Sequence, residues 1–186
     1  TGTSTLIQSG AAGAGTGNIS VKATTAGNTT AAKLGTGLTL KTAGLVLLEG
    51  DSAFDVNLII DGAAQLTADT TLTMSTTRTL TFNSTLDNGG GAGNADFVVI
   101  SDATTTFTGA VGGTTALTSF DGGTGITAVN GGKFVTTGGQ QYDGAVTVGT
   151  AAATFESSST GNINFTSTLN AGTLAVTVNT AGTATF

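Results

Sequence analysis

The chain has 186 residues with 30 glycines, no proline, cysteine, histidine or tryptophan, and only 9% charged residues at a formal net charge of -6. Without His or Cys there is no conventional triad, zinc site or thiol nucleophile. With five basic residues there is no Lys/Arg stripe to neutralise phosphates, which excludes nucleic acid and disfavours anionic membrane surfaces.

Low charge here does not mean membrane. The longest apolar runs, such as Leu45 to Leu48, are far short of the roughly 20 residues needed to span a bilayer. Threonine, roughly a fifth of the chain, supplies the polar surface together with Ser, Asn and Gly. Disorder is the default for a Gly/Ser/Thr-rich chain, but the alternation of Val, Ile, Leu and Phe with Thr and the positive mean hydropathy of +0.27 argue against it.

In chain order the signal is period-two alternation bounded by Gly, Asn or Asp, which predicts strands. Strands are expected at residues 18–23, 38–41, 45–48, 56–60, 65–67, 71–74 and 79–82. They continue at 97–100, 104–107, 116–120, 126–129, 133–135, 145–148, 153–155, 163–165 and 174–178. The Ala-rich patches at 11–14 and 151–153 are too short and too close to Gly to nucleate helices.

Two stretches echo one another. TFNSTLD, beginning at Thr81, is matched by NFTSTLN, so that Phe82 aligns with Phe165 and Leu86 with Leu169. Further on, Phe97 aligns with Val176, Val99 with Val178 and Phe107 with Phe186, the change of offset being absorbed by the Gly-rich run 88–94. This marks 71–107 and 155–186 as related units and 1–70 as divergent coils. Phe107 is followed by further repeat sequence and Phe186 by nothing, so the chain is expected to be a segment of something longer.

Many short strands with Gly/Asn turns and no proline predict an all-β, right-handed parallel β-helix (β-solenoid). About nine coils of roughly 20 residues would form one segment over residues 1–186. The absence of proline fits, because nearly every solenoid strand is internal and needs its ladder hydrogen bonds. Phe82, Phe97, Phe107, Phe120, Phe134, Phe155, Phe165 and Phe186 are expected to point inward as the structural core. The alternative is a pair of tandem immunoglobulin-like β-sandwiches, which explains the repeat length but not strands this short.

The run TGAVGGTTALTSFDGGTGITAVNGGKFVTTGGQQYDGAVTVG (Thr108 to Gly149), followed by GNINFTSTLNAGTLAVTVNTAGTATF, resembles the repeat regions of very large bacterial exoproteins. These are filamentous-haemagglutinin-like adhesins and related autotransporter passengers. The resemblance covers about 71–186 and implies secretion across the outer membrane, a β-helical fibre, and a role in attachment, aggregation or biofilm.

Candidate chemistry is sparse. Asp51 and Asp55 offer a carboxylate pair of the kind used in glycoside cleavage, but nothing beside them would raise a pKa, and they read as solvated turn residues. Asp87 and Asp96 flank a Gly-rich run that faintly resembles the Ca²⁺-binding nonapeptides of β-rolls with a broken register, so the only ion expected is adventitious calcium and no cofactor is expected. Glu49, Asp51 and Asp121 are acidic turns of the same kind. The Thr-x-Thr pairs (Thr3/Thr5, Thr71/Thr73, Thr79/Thr81, Thr104/Thr106, Thr183/Thr185) would order water if ranked one per coil, but their spacing is irregular. Asn18, Asn28, Asn83 and Asn164 lie in Asn-x-Ser/Thr sequons that composition alone explains.

The sequence therefore predicts a non-catalytic structural or adhesive segment of a secreted bacterial surface protein. Its expected partners are further repeats or copies of itself, and glycans or cell surfaces. A head-to-tail filament subunit is the alternative, and an extracellular carbohydrate-active enzyme a remote one.

Overall fold

The computed structural model describes residues 5–8, 17–22, 37–90 and 95–186. The Thr3 position, the 11–14 alanine patch, the Asn28 sequon and residues 91–94 of the glycine-rich run lie outside them. Every strand pair is parallel, as one register after another runs forward along both partners. Parallel pairing throughout is a β-solenoid and rules out the sandwich, whose sheets are antiparallel.

The strands in chain order are β1 (Thr5–Gln8), β2 (Ile19–Lys22), β3 (Gly37–Glu49), β4 (Ser52–Phe54), β5 (Asn57–Leu66), β6 (Thr70–Met74) and β7 (Leu80–Phe82). Then come β8 (Leu86–Asn88), β9 (Asp96–Ile100), β10 (Thr105–Phe107), β11 (Ser119–Asp121), β12 (Thr127–Val129), β13 (Lys133–Thr136) and β14 (Gln140–Tyr142). The last are β15 (Val146–Val148), β16 (Ala153–Ser157), β17 (Ile163–Phe165), β18 (Leu169–Asn170), β19 (Val176–Thr180) and β20 (Ala184–Thr185).

They stack on three faces. Face one is the order β1-β3-β5-β7-β10-β12-β15-β18, and face two is the seven-stranded order β20-β17-β14-β11-β9-β6-β4. Face three begins in β2 and the second halves of β3 and β5, passes through β8 and an isolated bridge at Val111, and ends as β13-β16-β19. β3 and β5 are long because each turns a corner without leaving the ladder, the register shifting between Lys41 and Leu45.

Face two holds seven strands, so the described coils number about seven, not nine. The reason is coil length. Leu80 pairs with Thr105, Thr105 with Thr127, Thr127 with Val146 and Val146 with Leu169, steps of 25, 22, 19 and 23 residues. Corners of variable length make most of these steps longer than the 20 residues expected.

The same registers re-read the internal repeat. Phe82 lies on face one but Phe165 on face two, Leu86 on face three but Leu169 on face one, and Phe97 on face two but Val176 on face three. The echo therefore carries each strand onto a neighbouring face instead of the same one. Inward residues on the three faces serve one core, so a strand-turn pattern can recur out of phase with the coil.

The core is a column of side chains threaded by the coils. Phe82, Phe97, Phe107, Phe120, Phe134, Phe155 and Phe165 are all buried, as expected. Each fully buried large side chain contributes roughly 1.5–3 kcal/mol. Phe186 is the correction: it stacks on Phe165 at 5.4 Å and 14° yet is 74% exposed, because no described coil covers its outer side.

Outside the column, polar side chains tie each coil to the next. Asn57 Oδ1 accepts from Thr79 N, Asp69 Oδ1 from Asp96 N and Asn162 Oδ1 from Thr183 N, each one coil on. Threonine hydroxyls do the same with carbonyls, as Thr150 Oγ1 donates to Asn130 O and Thr180 Oγ1 to Gly161 O. This is the structural use of the high Thr and Asn content: it satisfies corner backbone groups that no ladder reaches. At one corner only glycine fits. Gly112 has φ +64°, and a Cβ there would lie 2.1 Å from Val135 O of the next coil.

Candidate functional site

Among the buried polar side chains, Gln140 and Thr136 join Tyr142 in a network inside the core. Gln140, the first residue of β14, points into the core between Phe120 below and Ile163 above in register. Its Nε2 donates to Phe134 O at 3.1 Å, to Thr136 Oγ1 at 3.2 Å and to Glu156 O at 2.8 Å. Tyr142 Oη donates to Gln140 Oε1 at 2.9 Å, and its ring stacks on Phe165 at 4.9 Å and 5°. The network links β14 to β13 of its own coil and β16 of the next. Sequence reasoning missed it, since Gln-Gln-Tyr between Gly139 and Asp143 reads as a polar turn.

Burial pushes the Tyr142 phenol well above its ordinary value of 10.0. The sign follows from proton counting. Between the unfolded value and the raised folded one, the folded state holds a proton that the unfolded state has lost, so stability is full below pH 10 and falls as pH rises further. As Tyr142 is the sole tyrosine, phenolate absorbance reports it alone. Absorbance is expected to appear only together with unfolding, and Tyr142→Phe to remove this alkaline component. Phenolate forming in a chain still folded by circular dichroism would contradict that burial.

The calcium candidates do not converge. Asp87 lies on β8 of face three, where its Oδ1 accepts from Thr114 N at 2.8 Å and Thr115 N at 3.1 Å. Asp96 begins β9 of face two and accepts from Ser119 Oγ at 2.6 Å. Each carboxylate braces the next coil on a different face. Among the described residues no three acidic side chains gather as metal ligands. Asp51 and Asp55 are likewise separately engaged, Asp51 with Thr71 N at 2.8 Å and Asp55 with Arg78 Nε at 3.8 Å. Glu49 accepts from Ser20 Oγ and Asp121 from Gly123 N.

The Thr-x-Thr pairs are better ordered than their spacing suggests, but only locally. Thr79/Thr81 and Thr104/Thr106 sit one coil apart in the same register on face one. The positions after them hold Ile126/Ala128 and Ala145/Thr147, so the rank ends after two coils. Asn18, Asn83 and Asn164, the described sequon residues, all use their side chains to tie coils together: Asn18 Oδ1 accepts from Leu45 N, Asn83 Nδ2 donates to Asp61 Oδ1, and Asn164 Nδ2 to Gln141 Oε1. Beside Asn83, Lys41 pairs with Asp61 and lowers its carboxyl below the usual value.

Face two presents a polar outer surface. Its outward columns run Asp96–Ser119–Gly139–Asn162–Thr183 and Val98–Asp121–Gln141–Asn164–Thr185. Where the first column passes through Gly139 a side chain is missing, which leaves an open notch of about 400 Å³ rimmed by Ser119, Asp121, Gln141, Asn162 and Asn164.

The class these features define is a three-faced parallel β-solenoid with a side-chain-filled aromatic core. No protein-family model, curated protein or solved structure matches the chain.

Proposed function

We propose that the chain is a non-catalytic structural and adhesive segment of a secreted bacterial cell-surface fibre. The observation that carries this reading is the uninterrupted side-chain column through about seven coils, with side-chain ties from coil to coil at the corners. Such a stack is quasi-one-dimensional: each coil is held by its neighbours, and length is added by repetition. At about 4.8 Å per coil, the described coils span roughly 30 Å of rod. The function is geometric, holding binding elements at a distance while Thr, Asn and Gln faces make weak, repeated contacts with glycans or neighbouring fibres. The resemblance of residues 71–186 to large exoprotein repeats supports the same reading.

Two measurements test it. Antiserum against the folded chain should label intact source cells, and a signal seen only after lysis overturns the surface location. Removal of residues 105–126 joins Thr104 to Thr127, which stands in the register of Thr105. That whole-coil deletion should keep the strand signature and cooperative unfolding, whereas removing 105–115 moves later strands to the wrong face and should unfold the chain. Equal tolerance of both deletions would sink the rod reading.

Head-to-tail stacking of copies is the second reading, and the edge it would use is the last described coil. There β18, β19 and β20 lack a further strand partner among the described residues, and Leu169, Val176 and Val178 are only half buried. Parallel edges above an open apolar column are a template for another coil. Sedimentation should show concentration-dependent association that Phe186→Asp weakens. A persistent monomer at high concentration rejects it.

A further inference from the structure

We propose that the Gly139 notch on face two is a binding subsite for a neutral oligosaccharide. This rests on the glycan-contact part of the reading above and gives it a location.

The notch exists because one residue lacks a side chain. Its column neighbours Ser119 and Asn162 form the lower and upper walls, and Asp121, Gln141 and Asn164 form a polar rail along one side. The rail is held in place before any ligand arrives. Asn164 Nδ2 donates to Gln141 Oε1 at 3.0 Å, Gln141 Nε2 to Asp143 Oδ1 at 2.5 Å, and Thr166 Oγ1 to the same Asp143 oxygen at 3.1 Å. Asp121 is fixed by Gly123 N at 2.9 Å and Asn162 by Thr183 N at 2.9 Å, each through Oδ1. Among the described residues this leaves Asp121 Oδ2, Asn162 Nδ2 and Asn164 Oδ1 for a ligand. A carboxylate, an amide donor and an amide acceptor on fixed supports match vicinal hydroxyls, each of which both donates and accepts.

Charge selects against the other polar ligands. The strands of face two carry no Lys or Arg, while Asp69, Asp96, Asp121 and Asp143 lie on or beside them. Phosphate, sulfate and uronate groups would meet only negative charge. The volume of about 400 Å³ lies in the range of small-ligand sites. Because the columns continue above and below, a linear oligosaccharide along the rod axis would meet a new rung of polar side chains about every 4.8 Å.

Gly139 also supplies the test. A Cβ there would approach Asn162 O at 3.3 Å and nothing else within 4 Å, so a side chain requires only a small shift. Gly139→Thr places a strand-favouring residue in the notch and should fill it with the fold intact. The isotopically labelled chain is titrated by NMR with cellotetraose, chitotetraose and mannotetraose, and with a hyaluronan tetrasaccharide as the anionic comparison. At least one neutral probe should shift the Gly139 amide and the side-chain amides of Gln141, Asn162 or Asn164, and the anionic probe should not. Gly139→Thr should weaken binding by about tenfold or more, the equivalent of one or two lost hydrogen bonds. Gln141→Ala, which removes part of the rail but nothing from the core, should weaken it too and serves as the informative variant if Gly139→Thr does not fold. No shift with any neutral probe, shifts confined to another face, or unchanged binding in a natively folded variant would each overturn the subsite. Those results leave the rod reading standing, because the coil-deletion and cell-labelling experiments judge it separately.

Discussion

Phe134→Ala is expected to lose about 3–5 kcal/mol of stability, the range for deleting a large aromatic from a packed core. Phe134 is fully buried, and its ring meets rings from all three faces. Phe107 lies at 5.3 Å and 90°, Phe120 at 4.5 Å, Tyr142 at 5.9 Å and Phe155 at 6.4 Å. It stands in the face-three column between Val111 and Phe155. No neighbour can collapse into the space without leaving its own ladder, so most of the cavity should persist. A domain of this size has only about 5–15 kcal/mol in hand. The solenoid adds a second consequence. Coils communicate only with their neighbours, so a weak middle coil should uncouple the two ends and broaden the unfolding transition. Phe134→Leu keeps most of the volume and should cost about 1–2 kcal/mol with the transition still sharp. Denaturant unfolding of the three proteins measures both effects. A loss under about 1 kcal/mol for Phe134→Ala would mean the column is loosely filled.

Phe134 was legible from sequence because the inward signal is local. A Phe within alternation and bounded by Gly has one face to hide, and seven of the eight phenylalanines read this way are buried. What sequence could not reveal was which coil face a strand joins. The match of Phe82 to Phe165 is real as a pattern but links face one to face two, since corner length, not strand pattern, sets the phase. Coil steps that run from 18 to 33 residues leave no fixed period to find. β3 and β5 each look like two strands in the sequence, because a bent strand and two strands with a corner between them have the same alternation. Asp87 and Asp96 resembled ligands only while the chain was read along its length. Across coils, each is a brace for its neighbour. The face-two notch was invisible for a related reason: Gly139 is unremarkable until Ser119 and Asn162 are stacked on either side of it.

The Gln140–Tyr142 pair carries the second large effect, and a double-mutant cycle separates its parts. Tyr142→Phe removes one hydroxyl and leaves Gln140 Oε1 buried without its donor, which should cost about 1–3 kcal/mol. Gln140→Leu should cost more, about 3–5 kcal/mol, because it strands the Tyr142 hydroxyl and takes a donor from the carbonyls of Phe134 and Glu156 at once. The double variant should not lose the sum. With both polar ends gone, Leu at 140 lies between Phe120 and Ile163 in an apolar column and the phenyl ring keeps its stack on Phe165. A coupling of about 1–2 kcal/mol in favour of the double variant is therefore expected. Strict additivity would mean the two side chains are not one network. If the double variant recovers stability, the network is retained for something other than stability, and its geometry says what. Gln140 joins β14 to β13 within one coil and to β16 in the next, while the surrounding Phe side chains could slide by one coil and still find apolar neighbours. An amide that finds its acceptors in only one alignment fixes that register. The double variant should then show more than one set of amide signals around Phe120, Phe134 and Phe155, where the parent chain shows one.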